Sequence, residues 1–167
     1  MGDVTMKRWM LLALSAAVVA SPGVAKTKPA AAPKAPAELK WMDAPAALPH
    51  GGQMAVVSGD PSKKGMFTIH LKAPANYAVP PHWHPTDEKV TLVSGKMVYG
   101  MSDQLSRSNG QPLAVGQSVV MKAKEHHWVF TGDGAEVELT AMGPFMITYV
   151  DPKDDPRNVA AGAKKKP

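Results

Sequence analysis

The sequence predicts an all-β protein, a single domain folded as a jelly-roll β-barrel of eight or so short strands. Apolar residues recur in alternation or in short runs, and Gly, Pro, Asn or Asp residues bound these runs, which is typical of strands. No segment has the sustained 3.6-residue periodicity of an amphipathic helix. The length of 167 residues suits one domain with tails.

The predicted strands follow one another in chain order between turn-forming residues. In segment 67–71 apolar residues alternate with polar ones, so His70 is expected on the face opposite the apolar one. Another strand holds Val90 and Leu92, which share the parity of Glu88 and are expected to face the barrel interior with it. Further strands are expected at 54–57, 97–99, 119–121, 128–130, 137–139 and 145–150, with turns at 58–65 and 94–96.

The most informative pattern is a histidine pair followed by a carboxylate. His82 and His84 are two residues apart, so on a strand both side chains point to one face, with Cβ atoms roughly 6–7 Å apart. Glu88 lies roughly 13 Å further along a straight strand, so the chain must turn at 85–87, where Pro-Thr-Asp is turn chemistry. A fourth group must come from a distant strand, and His127 is the best candidate. Three imidazoles and one carboxylate can hold a divalent transition metal.

These residues carry a family resemblance, because the chain resembles the cupins, small β-barrel proteins with two sequence motifs. The first cupin motif runs Gly-X5-His-X-His-X3–4-Glu-X6-Gly. His82, His84, Glu88 and Gly95 match it, while Asn76 stands at the position of the leading glycine. Asn also tolerates the left-handed turn conformation, so this departure is mild. The first motif is highly specific.

The second cupin motif, Gly-X5-Pro-X-Gly-X2-His-X3-Asn, matches less completely. Gly116 and His127 fit it, whereas Lys122, Lys124 and Thr131 replace the Pro, Gly and Asn. These replacements weaken the turn before His127 but leave the histidine in place. The resemblance therefore supports the ligand more strongly than the turn that presents it.

The resemblance covers roughly residues 38–150 and implies a cupin-type jelly-roll barrel, the double-stranded β-helix, with a metal site. The implied cofactor is one divalent transition metal ion held by His82, His84, Glu88 and His127. Mixed nitrogen and oxygen ligation suits Fe, Mn, Ni, Cu or Zn and does not choose among them.

The reaction stays open, because cupins host many activities. One interpretation is a metal-dependent enzyme that acts on a small oxygenated compound, of dioxygenase or decarboxylase type. Asp87 and Glu125 flank the motifs and are candidate acid–base groups. The alternative is a non-catalytic module that binds a metal or a metal and small ligand for sensing or storage. A small molecule is the expected partner in either case, and a homodimer is compatible with the chain.

Several residues near the motifs are candidates for a pocket or an outer role. Trp83 and Trp128 adjoin ligands along the chain, so on a strand they are expected to point away from the metal. Met97 and Tyr99 are better candidates for a substrate pocket. His126 points opposite to His127 on a strand, so it is expected to contact a ligand residue from outside or to lie at the surface, and not to bind the metal.

The first 25 residues are expected to be a secretory signal peptide. Lys7 and Arg8 form its basic region, and Trp9–Ala20 is an apolar run with one polar residue. Gly23–Ala25 offers a small-X-small cleavage site, with 18–20 as a second option. An uncleaved N-terminal anchor is the alternative. The protein is thus expected in the periplasm or secreted, with no stable membrane span after cleavage.

The remaining segments divide into a linker at 26–37, the barrel at 38–150 and a C-terminal tail at 151–167. The net charge of +5 arises from 19 basic and 14 acidic residues. Segment 38–157 holds 11 of the basic and 13 of the acidic residues, so its surface does not indicate a nucleic-acid partner. The chain has no cysteine, which excludes disulfides and thiolate ligands.

Overall fold

The computed structural model describes residues 38–158, which lie within one compact unit. The expected signal peptide and linker lie outside the described residues, as does the C-terminal tail from 159 onward. Within the described part, no helix is long and apolar enough to cross a membrane.

The prediction of an all-β fold is confirmed, since 52% of the structure is strand and 7% is helical. Two short 3-10 turns, Arg107–Asn109 and Pro152–Asp154, supplement the strands. The strands of the described segment are β1 (Met42–Asp43), β2 (Gln53–Ser58), β3 (Gly65–Ala73), β4 (Tyr77–Trp83), β5 (Glu88–Gly100), β6 (Gln111–Leu113), β7 (Ser118–Met121), β8 (His127–Gly143) and β9 (Thr148–Tyr149).

Strand β8 organises the sheet, which curls into a half-barrel. One part of β8 pairs with β3 and the other with β4, while β5 pairs with β8 along most of its length. The sheet order is β1-β2-β3-β8-β4-β9, and β5 additionally pairs with β6 and β7. All of these pairings are antiparallel, so inward-facing residues alternate with outward-facing ones along each strand.

Strands β5 and β8 are longer than predicted. A turn was expected at 94–96, but β5 runs through this segment as one strand of 13 residues. The pairing of β5 with β8 shifts register between Leu92 and Ser94 and again between Gly95 and Met97. Such irregularities bend a strand without ending it. The expected strands at 128–130 and 137–139 are likewise parts of the single strand β8, which has 17 residues.

The interior face of the sheet follows the predicted parity. Val90 and Leu92 are buried together with Glu88, at 5%, 1% and 4% relative exposure. Leu139 of β8 lies between Ile69 of β3 and Val90 of β5 in the strand register. The inward-facing residues of three strands therefore form continuous rows across the sheet.

Candidate metal centre

Four side chains that are distant along the chain meet at one end of the half-barrel. His82 lies in β4, and its register partner across the ladder is His127, the first residue of β8. His84 follows the end of β4, and Glu88 is the first residue of β5. The chain turns at 85–87, as the spacing of His84 and Glu88 required.

The donor atoms of this cluster are close enough to share one ion. Ligand nitrogen atoms of the three histidines all lie within 4.8 Å of one another. Oε2 of Glu88 lies 3.5 Å from Nε2 of His84 and 3.5 Å from Nε2 of His127. With ligands at about 2.1 Å from an ion, neighbouring donor atoms are about 3.0 Å apart in octahedral and about 3.4 Å apart in tetrahedral geometry. Three buried histidines could therefore hold a metal ion.

Main-chain carbonyl groups orient all three imidazole rings. Each Nδ1 donates to a carbonyl oxygen, at 2.7 Å from His82 to Pro80, 2.7 Å from His84 to Met146 and 3.0 Å from His127 to Glu125. A neutral ring that donates from Nδ1 has its lone pair on Nε2. Nε2 of His127 is buried and has no hydrogen-bond partner. A buried polar atom of this kind calls for a ligand, and a metal ion satisfies it.

The electrostatics of the site also fit a cation. Burial lowers the pKa of His82 to about 3, and the proximity of His127 and His84 adds to this effect. Burial likewise lowers the pKa of His84. Burial by itself raises the pKa of Glu88, but the neighbouring histidines outweigh it and hold that pKa below its usual value. At neutral pH the buried Glu88 carboxylate thus lies beside the neutral rings of His82 and His84, and buried charges are typically paired or coordinate metals.

The loop that precedes β9 supports His84. Residues 145–150 were expected to form a strand, but β9 comprises only Thr148–Tyr149. Phe145 stacks on the ring of His84, with centroids 4.4 Å apart and planes inclined by 23°. The carbonyl of Met146 accepts the His84 hydrogen bond. Nothing in the largely apolar run 145–150 indicates that its backbone binds a distant side chain, so the sequence did not reveal Phe145 as a contact of the site.

The turn before His127 is held by polar contacts. Lys124 adopts a φ of 64°, and its backbone N–H donates to the carbonyl of His84 at 2.8 Å. The Asp87 carboxylate accepts from the N–H of Ala123 and from Nζ of Lys122, both at 2.9 Å. Glu125 accepts from the N–H of Lys122 at 3.1 Å. The two candidate acid–base groups are therefore engaged in this turn, and both are exposed.

A cavity of about 370 Å³ opens from the cluster of His82, His84, Glu88 and His127 into the half-barrel. Met97 lies in its wall, whereas Tyr99 lies outside it and donates from its hydroxyl to Gln111 at 3.0 Å. His126 is half-buried, and its Nδ1 lies 2.6 Å from the carboxylate of Asp103. Among the pocket candidates, the structure therefore brings only Met97 to the cavity, and its contact with a substrate stays a prediction.

Comparisons with known proteins identify the fold. No family model matches the sequence, and no curated protein matches it. A presumed acetylacetone dioxygenase from Methylibium petroleiphilum PM1 superposes with a TM-score of 0.54 at 23% identity, covering 77% of this chain and 90% of that one. The DMSP lyase DddQ from Ruegeria pomeroyi DSS-3 superposes with a TM-score of 0.55 at 16% identity, covering 69% and 62%.

An acetylacetone dioxygenase from Acinetobacter johnsonii is similar to the same degree, with a TM-score of 0.53 at 17% identity over 69% of this chain and 74% of that one. The chain has the cupin jelly-roll fold, as its two histidine motifs predicted.

Proposed function

We propose that this protein is a metal-dependent cupin enzyme that acts on a small oxygenated compound, in a reaction of dioxygenase or decarboxylase type. The observation that carries the proposal is the buried, unpartnered Nε2 of His127, which lies 3.5 Å from the Glu88 carboxylate. With His82 and His84, these residues are the proposed ligands of one divalent ion. When bound, the ion would supply a Lewis acid or redox centre with one or two positions open to substrate.

The protein's own residues contribute orientation and the exclusion of water. The carbonyl groups of Pro80, Met146 and Glu125 fix the rings, so the donor atoms are preorganised before an ion arrives. Phe145 covers one face of His84 and is packed in turn on Phe67, with ring centroids 5.3 Å apart. A substrate held at this end of the half-barrel is therefore shielded from bulk water on that side.

The wall of the cavity limits the chemistry. Within the described part of the chain, no carboxylate or imidazole lines it beyond the four proposed ligands. A reaction that needs a positioned general acid and a separate general base is therefore less suited to this site than one that relies on the ion. Structures with this fold include proteins named as dioxygenases and a lyase, which supports a reaction of this kind.

The lack of a further carboxylate or imidazole in the described cavity wall also favours the second candidate function. This is a non-catalytic module that holds a metal or a metal and small ligand. Metal content and turnover separate the two functions. The enzyme should consume O₂ or substrate when its phenolic or carboxylic acid substrate is supplied, whereas the binding module should hold the metal without turnover.

Export to the periplasm or outside the cell is part of this proposal. It rests on the basic, apolar and small-residue order of the first 25 residues. A homodimer also stays a prediction, whose measurement is the mass of the purified protein in solution.

Metal analysis tests the ligand set directly. The purified protein should carry about one transition-metal ion per chain, and His84→Ala should lower both metal content and melting temperature, since bound metal stabilises the native state. His126→Ala is the matched control, because that neighbouring ring points to Asp103 on the surface. Full metal occupancy in His84→Ala contradicts the proposal, and loss of metal in His126→Ala contradicts the choice of histidine.

A further inference from the structure

The cavity extends from the cluster of His82, His84, Glu88 and His127 along one face of the sheet, where it is lined by successive apolar rows. Glu88 lies at the histidine end of these rows. The row below comprises Ile69, Leu139 and Val90, which are register partners on β3, β8 and β5. The wall then continues with Leu71 and Val137, and after them with Ala73 and Ala135. At about 6.5–7 Å for every two residues, the three rows extend over about 13 Å.

A second wall descends from the histidines in the same way. His82 is paired with His127, Val79 with Val129, and Tyr77 with Thr131, on β4 and β8. All six residues line the cavity. The cluster of His82, His84, Glu88 and His127 therefore lies at one end of an apolar channel whose two walls are formed by paired strands.

The polar groups along this channel already have partners within the protein. The Tyr77 hydroxyl donates to the carbonyl of Pro49 at 2.7 Å, and the Thr131 hydroxyl donates to the carbonyl of Pro74 at 2.8 Å. A substrate hydroxyl, amide or carboxylate placed deep in the channel would find few free donors and would lose its hydration.

The side chains of the four remaining polar residues of the wall are engaged elsewhere or exposed. Arg157 donates to Asp155 at 2.7 Å, Lys72 lies 3.7 Å above the ring of Trp41, Ser62 donates to Asp60 at 2.7 Å, and Gln53 is exposed to solvent. Apart from the solvent-exposed amide of Gln53, the polar side-chain atoms of the wall that lack a partner therefore lie at the cluster of His82, His84, Glu88 and His127.

The size of the cavity bounds the substrate. Its volume of about 370 Å³ equals the space of about twelve water molecules, at about 30 Å³ each. A compound of roughly that number of non-hydrogen atoms would fill it. This is a small organic molecule and not a polymer or a peptide.

We propose that the substrate or ligand of this site has one oxygen-donor head, which binds at the metal cluster, and a hydrocarbon body without further polar groups, which occupies the channel. The assignment of the head rests on the proposed function, whereas the assignment of the body rests on the channel walls alone. Sugars, polyols, amino acids and dicarboxylates are excluded by the same argument, since each would bury polar groups without partners.

The test compares octanoate with suberate, which has the same chain length and a second carboxylate at the far end. Isothermal titration calorimetry with the protein as purified, at neutral pH, measures both affinities. Octanoate should bind at least tenfold more tightly than suberate, and at least tenfold more tightly than acetate, because each buried methylene contributes about fourfold in affinity. A ratio below tenfold in either comparison, or no binding of octanoate, overturns the inference.

Two isosteric variants locate the binding. Val137→Thr places a hydroxyl in the channel wall and should weaken octanoate binding by about fivefold or more. Val120→Thr on β7, where the side chain is 45% exposed, should change it by less than about twofold. Equal effects of the two variants would refute binding in the channel.

The outcome is separable from that of the proposed function. A purified protein that carries no metal and still prefers octanoate over suberate refutes the metal-dependent function but supports the hydrocarbon body. A protein that carries the metal but shows no such preference supports the metal site and overturns the substrate class.

Discussion

The three candidate ligand histidines depend on main-chain carbonyl groups from different segments. The carbonyls of Pro80 and Glu125 lie two residues before His82 and His127, so local geometry supplies them. The carbonyl that orients His84 belongs to Met146, which is 62 residues away. The orientation of His84 therefore requires the folded sheet, and this ring is the one that a disturbed 144–147 loop would release first.

The buried histidines make stability dependent on pH. Burial lowers the pKa of His82 to about 3 and lowers that of His84, whereas in the unfolded chain an imidazole titrates near pH 6.5. Below about pH 6.5 the unfolded state thus binds more protons, so stability falls as pH falls, by up to about 1.4 kcal/mol per pH unit for each histidine. For His82 this window extends down to about pH 3.

We therefore expect the melting temperature of the metal-free protein to decrease as the pH is lowered from 6.5. His82→Gln should make that decrease shallower, while His50→Gln, at an exposed loop position, should leave it unchanged. Thermal melts of chelator-treated protein at several pH values measure this. The same slope in all three proteins would show that burial of His82 has no part in the acid sensitivity.

Lys124 lies in a conformation that suits glycine. Its φ of 64° is in the left-handed region, where a Cβ is unfavourable, and the cupin motif has glycine at this position. We expect Lys124→Gly to increase the free energy of unfolding by about 0.5–1 kcal/mol, as measured by urea denaturation. Lys124→Ala is the control, since it removes the charge but retains the Cβ. Gly and Ala variants of equal stability would contradict the strain argument.

At the scale of elements, strands β5 and β8 bend together and remain paired. The bend coincides with Gly95, whose φ is 85° and whose register partner is Ala135. A Cβ at Gly95 would lie 2.8 Å from Cα of Ala135 and would collide with the carbonyl oxygen of Gly134. Glycine at this motif position therefore allows close approach of two backbones, and it continues the strand where a turn had been predicted.

Gly95→Ala should accordingly destabilise the protein by about 2 kcal/mol or more, because it combines a positive φ with a collision against backbone. Gly132→Ala, in β8, is the matched control, since an added Cβ there has no atom within 4 Å. Urea denaturation of both variants decides the matter. If Gly95→Ala were no less stable than Gly132→Ala, the close approach of β5 and β8 would not explain the glycine.

At the scale of the whole molecule, the sequence predicted what depends on local spacing. The parity of Val90 and Leu92, the turn before Glu88 and the left-handed Asn76, with a φ of 58°, are all present in the structure. These features depend on neighbours within a few residues, where alternation and turn chemistry are informative. His82 and His127 are register partners on β4 and β8, which agrees with the expectation that His127 comes from a distant strand.

Features that depend on distant partners were not predictable in this way. Ser94 and Gly95 are turn-forming types, but both are paired with β8, and the strand continues through them. Phe145 and Met146 belong to an apolar run that predicts a strand, yet they contact His84 instead of extending a ladder. The length of the channel also depends on aligned rows from three strands, and no single strand contains that information.

The first 25 residues predict that the whole chain is exported. The order of a basic region, an apolar run and the small residues of Gly23–Ala25 predicts cleavage after Ala25. N-terminal sequencing of protein from the periplasmic fraction should therefore begin at Lys26. Ala25→Arg should abolish that start, because the position before the cut requires a small residue, and it should retain the precursor or shift cleavage to follow Ala20. A chain that begins at Met1 and accumulates in the cytoplasmic fraction would contradict export. The protein would then acquire its ion in the cytoplasm, where the available metals differ from those in the periplasm. Because a mixed nitrogen and oxygen site accepts several metals, that availability helps to decide which ion is bound.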